Sequence, residues 1–164
     1  MRVSKLLVAS AAALGIFAAS GVAQDGRAFT IRIHKVAQTD NLDAFDALGA
    51  DRADFYAKMW VNGKEMGSTK NVSWDEAGTN WRWNLVSADR YVHIKLRLLD
   101  DDGALEGKDD HVDINSMSGK KDLDFVYDTW TGTFSGDING RRGTQYHAAG
   151  EGDSMRGQLW FSVQ

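Results

Sequence analysis

Apolar and polar residues alternate with period two along most of this chain, and that alternation predicts strands. Phe29-Thr-Ile-Arg-Ile-His-Lys-Val36 opens the series as a half-buried strand. Asp54-Phe-Tyr-Ala-Lys-Met-Trp-Val61 is a second. Asn62-Gly63 follows it, a dipeptide that favours a two-residue hairpin turn because both residues tolerate positive φ. Lys64 to Val72 returns as a third strand, and Trp81 to Leu85 alternates again. Tyr91-Val-His-Ile-Lys-Leu-Arg-Leu-Leu99 is the strongest pattern in the chain. It sets Val92, Ile94, Leu96 and Leu98 on one face and His93, Lys95 and Arg97 on the other.

Shorter signals follow at His111 to Ile114, Leu123 to Tyr127 and Trp130 to Phe134. Gln158-Leu-Trp-Phe-Ser-Val163 closes the chain as a last strand. Residues 39–53 read as a loop or a single helical turn. Residues 135–157, rich in Gly and polar groups, read as one long loop. No stretch after the first two dozen residues keeps a helical period, and no internal repeat is visible. Short strands at this spacing predict an all-β, antiparallel sandwich of about eight strands.

The N-terminus departs from that pattern. Arg2 and Lys5 precede a run from Leu6 to Ala19 that has almost no polar atoms and is shorter than the ~20 residues of a membrane span. Gly21 and Ala23 are small residues suited to cleavage between Ala23 and Gln24. Residues 1–23 are therefore expected to be a secretory signal and 24–164 a single domain. The protein itself is expected to be periplasmic or secreted. Loss of Arg2 and Lys5 takes the formal net charge from −4 to −6. So acidic a domain is poorly suited to nucleic acid, whose recognition leans on Lys and Arg against phosphate. The chain has no Cys, so export adds no disulfide and stability rests on packing.

One skew in composition changes the picture. Of the 23 acidic residues, 19 are Asp and 4 are Glu. Asp suits turns, and it also suits hard cations. The carboxylates gather in two segments. Asp40, Asp43, Asp46, Asp51 and Asp54 lead into one strand, and Asp100-Asp101-Asp102-Gly-Ala-Leu-Glu-Gly-Lys-Asp109-Asp110 follows another. Each reads either as a solvated turn or as a loop presenting oxygen ligands to Ca²⁺, which takes six to eight oxygens at about 2.3–2.6 Å. An EF-hand is excluded, because counting back from Gly103 puts Leu98 in the first ligand position.

The order of these pieces resembles the C2 domain family. Asp54-Phe-Tyr-Ala-Lys-Met stands for its Asp-Pro-Tyr-Val-x-Val strand, and Asn62-Gly63 for its hairpin. Ser68-Thr-Lys-Asn-Val-Ser-Trp74-Asp75 matches the Lys/Thr strand and the segment after it. Val92 to Leu99 then runs into Asp100-x-Asp102 and Asp109-Asp110-His-Val-Asp113-Ile. The Pro after Asp54 is missing, the gap from Asp102 to Asp110 is long, and Leu48 falls where a first-loop ligand belongs. The resemblance implies a C2-like Greek key that binds Ca²⁺ through Asp46, Asp54, Asp100, Asp102 and Asp110. It implies docking on an anionic partner: phospholipid, or in a bacterial envelope lipopolysaccharide or another protein.

Other chemistry is thinner. No nucleophile elbow, phosphate loop or paired-carboxylate signature is present, so a binding module is expected and not an enzyme. The six Trp (Trp60, Trp74, Trp81, Trp83, Trp130 and Trp160) are expected mainly in the core. Exposed, they would offer a stacking platform for carbohydrate, and a metal-free interaction module is the third reading. His34, His93, His111 and His147 lack metal-ligand spacing. Lys95 and Arg97 present either a solvated sheet face or a basic one for anionic lipid or glycan.

Overall fold

The structure, a computed structural model, describes residues 26–40, 53–101, 108–152 and 155–164. The segment read as a secretory signal lies outside the described residues. Among those residues every regular element is a strand. They are β1 (Arg27–Gln38), β2 (Asp54–Val61), β3 (Lys64–Ser68), β4 (Val72–Ser73), β5 (Glu76–Ser87), β6 (Tyr91–Asp100), β7 (Asp110–Val112), β8 (Leu123–Asp128), β9 (Thr133–Gly136), β10 (Gly140–Arg141), β11 (Gln145–Ala149) and β12 (Gly157–Val163). They form two antiparallel sheets. One runs β11-β12-β1-β5. The other runs β10-β9-β8-β6-β2-β3, with β4 paired to β2 and β7 to β6. The chain changes sheet between β1 and β2, between β4 and β5, between β5 and β6, and between β10 and β11.

The apolar alternation decides which faces meet. Val92, Ile94, Leu96 and Leu98 of β6 are all fully buried, while His93, Lys95 and Arg97 point outward. Across from them, Phe29, Ile31 and Ile33 of β1 and Leu159, Phe161 and Val163 of β12 supply the other half of the core. Phe125 on β8 joins the halves, with its ring 5.1 Å from Phe134 and 5.7 Å from Phe161 of the opposite sheet.

The predicted hairpin forms as expected. Asn62 and Gly63 adopt φ of 49° and 80°, both in the left-handed region that the tight turn requires. Three expectations are corrected. The third strand is not continuous from Lys64 to Val72 but splits into β3 and β4. Thr69 interrupts it, exchanging hydrogen bonds with the Ala57 backbone: its Oγ1 accepts from the Ala57 N and its own N donates to the Ala57 O. The segment 81–85 is the middle of a strand of 12 residues, because β5 pairs along almost all of β1. The expected long loop at 135–157 contains β10, β11 and the start of β12. A Cβ on Gly140 would fall within 2.3 Å of the Tyr146 ring and 2.5 Å of the Phe134 ring. The glycine is needed for these rings to pack, so it does not mark a loop. These short strands bring the count among the described residues to twelve, where about eight were expected.

Candidate metal centre at the acidic end of the sandwich

Antiparallel pairing carries three of the five expected ligands to one end. Phe55 of β2 lies opposite Asp100 at the end of β6, and Asp100 lies opposite Asp110 at the start of β7. Asp54, Asp100 and Asp110 therefore sit on neighbouring strands at a common level. The Asp100 side chain is the most enclosed, with 1 % of its residue surface exposed. Its Oδ1 accepts the Asp54 backbone N–H at 2.6 Å, and the Asp101 N–H donates to the Asp54 carbonyl at 3.1 Å. These bonds lock the start of β2 to the end of β6. Asp46 and Asp102, the other two expected ligands, lie outside the described residues.

Two more carboxylates join this end. The Tyr56 hydroxyl donates to Asp109 Oδ2, and the Asn71 amide donates to Asp101 Oδ2. Burial pushes the Tyr56 hydroxyl up, and the Asp109 carboxylate it serves pushes it further. Tyr56 therefore stays a neutral donor at any physiological pH. The sequence pattern placed Asp101 and Asp109 only as neighbours of ligands, because their partners are 30 and 53 residues away along the chain.

A donor set of carboxylate oxygens on strand ends suits a hard cation such as Ca²⁺ and not Zn²⁺ or Cu²⁺, which take imidazole and thiolate. Among the described residues no group of three or more His, Cys, Asp or Glu side chains is drawn close enough to hold a metal ion. Asp54, Asp100 and Asp110 share a level without closing into such a group.

No family model matches the sequence, and no curated protein matches it. The comparison with solved structures is informative. The chain superposes on C2 domain A of plant extended synaptotagmin 1 with a TM-score of 0.52 at 10 % identity, covering 85 % of this chain and 93 % of that one. A second C2 domain structure gives 0.54 at 12 % identity, covering 84 % and 96 %. The fold is that of a C2 domain. The tandem C2 domains, A and B, of extended synaptotagmin 2 match at 0.51 and 12 % identity over 99 % of this chain and 48 % of that one.

In this C2-like sandwich the acidic end is braced from the side. Asp122, just before β8, takes both Arg97 of β6 (2.8 and 2.7 Å) and His111 of β7 (2.7 Å). It thereby ties the strand that carries Asp110 to the strand that carries Asp100. Burial pushes the Asp122 carboxyl up, but the hydrogen bonds and charges of Arg97 and His111 outweigh it and hold the group well below the usual carboxylate range. A carboxyl depressed in the folded chain stabilises it above the unfolded value of 3.8 and loses that contribution as the pH falls below it. Asp122→Asn is expected to lower stability by about 2 kcal/mol at neutral pH. In urea unfolding curves the gap to wild type should begin to narrow only as the pH falls below 3.8 and should still be largely open at about pH 3, because the folded carboxyl takes up its proton well below that.

The Trp expectation holds in part, since Trp81 and Trp83 are half-buried and pack against the core. None of the six belongs to the fully buried core; Trp74 and Trp130 are exposed and the other four are half-buried. Trp60 lies on the outer face under the Arg97 guanidinium at 5.1 Å. Trp160 stacks on His147 at 4.5 Å, with the Lys35 ammonium 4.5 Å from its ring centre. Trp81 and Trp83, on one face of β5 as expected, line an open groove of about 380 Å³ with Ser68, Thr69, Lys70, Asn80 and Arg82.

Proposed function

We propose that this is an exported, non-enzymatic C2-like module that binds Ca²⁺ at its acidic end and docks there on anionic phospholipid. The reading is carried by the register that brings Asp54, Asp100 and Asp110 to one level, with Asp101 and Asp109 beside them. Carboxylates gathered this closely repel one another, and a divalent cation between them turns that repulsion into attraction. Asp46 and Asp102 complete the proposed ligand set. The bound ion then offers its open positions to lipid phosphate, which the carboxylates alone would repel. Export places such a site where Ca²⁺ is abundant, so an affinity in the 10⁻⁴–10⁻³ M class of extracellular modules suffices.

Binding to phosphatidylglycerol-containing vesicles, followed by co-sedimentation, tests the reading. Calcium is expected to increase binding, chelator to reverse the increase, and Asp54→Ala/Asp110→Ala to abolish it. Equal binding with calcium and with chelator sinks the proposal. A second reading rests on the Trp81–Trp83 groove, whose paired rings and flanking polar groups suit a saccharide. Retention on soluble polysaccharide that is lost in Trp81→Ala/Trp83→Ala, and indifferent to chelator, would favour it.

A further inference from the structure

The opposite end of the sandwich has different chemistry. There β6 and β1 begin, β5 and β8 end, and the Asp128–Thr133 turn closes the way to β9. Trp130 stands on that turn with 61 % of its surface exposed, one of the most exposed large apolar side chains described. The turn is not loose. Asp128 Oδ1 accepts the N–H groups of Trp130 and Thr131 at 2.8 and 3.3 Å, and the Asp128 carbonyl accepts from the Gly132 N–H at 2.8 Å. The Thr129 hydroxyl, largely buried, donates to the Asp89 carbonyl at 3.1 Å. Arginines dress the exposed ring. The Arg27 and Arg90 guanidinium carbons lie 5.4 and 5.1 Å from its centre, and Arg90 also covers Tyr91, 59 % exposed, at 4.9 Å.

The charge of this end runs against that of the chain. Arg142 joins it, its N–H donating to the Gly132 carbonyl at 2.6 Å. Two acids stand here: Asp128, whose oxygens are taken up by Arg90 and the backbone of its own turn, and the exposed Asp89, whose carboxylate accepts from the Asn62 amide. Arg27 faces solvent, and Arg142, also exposed, reaches the Tyr127 hydroxyl, on a protein whose net charge is −4. An occupant matching this end is anionic and also accepts amphipathic rings. A bilayer interface does both: phosphates attract arginine, and Trp and Tyr prefer the headgroup level. Because the turn already holds Trp130 in place, docking costs little further ordering.

We infer that the Trp130 turn, with Arg27, Arg90 and Tyr91, is a second docking surface for an anionic phospholipid bilayer, one that works without calcium at the end opposite the acidic loops. It is independent of the calcium-dependent docking proposed above.

The test is co-sedimentation of protein purified from cells expressing the whole gene, in chelator throughout. Vesicles are phosphatidylcholine alone or phosphatidylcholine mixed with phosphatidylglycerol. Binding is expected with the mixture and not with phosphatidylcholine alone, and it should weaken as salt rises. Arg27→Ala is expected to reduce it about fivefold, and Trp130→Ala on the order of tenfold. Unchanged thermal melting shows that both variants fold. No binding in chelator, equal binding to both vesicles, or binding that both variants retain overturns the inference. Calcium-dependent binding that survives in both variants leaves the acidic-end proposal standing.

Discussion

Truncating Phe125 to alanine is expected to destabilise the fold by about 3–5 kcal/mol, the range for a large aromatic removed from a packed core. Phe125 is 1 % exposed and stands on β8, which pairs β6 on one side and β9 on the other. Its ring meets Phe134 from its own sheet and Phe161 from the opposite one, and Tyr146 packs on both of those rings at 5.0 and 6.1 Å. Neighbours on two rigid sheets do not collapse readily into the hole, so a cavity term adds to the lost transfer energy. The loss should appear as a fall in melting temperature of roughly 15 °C for a domain of this size. Phe125→Leu keeps most of the volume and should cost less than half as much. Equal losses in the two variants would mean that ring contacts, not cavity volume, hold the sheets together there.

The same core shows why some elements were legible in the sequence and others were not. In β6, parity never slips from Val92 to Leu98, so its faces could be read directly. In β1 it does slip: Phe29, Ile31 and Ile33 are buried, but the next buried residue is Val36. A bulge between Ile33 and Lys35 shifts the register against both neighbours, and His34 at that point bonds Ser162 at 2.9 Å. The sequence carries a sign of it, two polar residues (His34 and Lys35) between Ile33 and Val36 where an unbroken alternation places one. β10 and β11 were hidden because Gly140 and Ala148 are small where the aromatic cluster needs room. The Trp residues other than Trp81 and Trp83 were misread for another reason. Size and an indole N–H favour sheet edges and outer faces with polar neighbours, as Arg97 on Trp60 illustrates.

At the candidate site the order Asp54, Asp100, Asp110 was legible because each lies at a strand boundary marked by its own pattern. Which carboxylates share a level was not, because that depends on pairing between β2, β6 and β7. Asp101 and Asp109 came to light only through the Asn71 and Tyr56 side chains that hold them.

The acidic end should make the stability of wild type rise with calcium and leave that of an Asp100 variant unchanged. A cation that binds only the folded chain at a hundred times its Kd adds about 2.7 kcal/mol, so millimolar calcium should raise the wild-type melting temperature by several degrees. Asp100→Asn keeps the size of the side chain and an oxygen able to accept the Asp54 N–H, so the strand junction survives. What it removes is one negative charge from among Asp54, Asp101, Asp109 and Asp110. In chelator the variant is therefore expected to be more stable than wild type, by roughly 1 kcal/mol at the effective dielectric of a protein surface. As calcium rises, wild type gains and the variant does not, so the two melting curves cross. Magnesium, which demands a tight octahedral shell, should not reproduce the wild-type rise at equal concentration. Parallel curves, in which variant and wild type gain equally from calcium, would place the ion elsewhere. A flat wild-type curve would remove the ion from the account, and the acidic end would then be a set of solvated turns kept apart by their own charge.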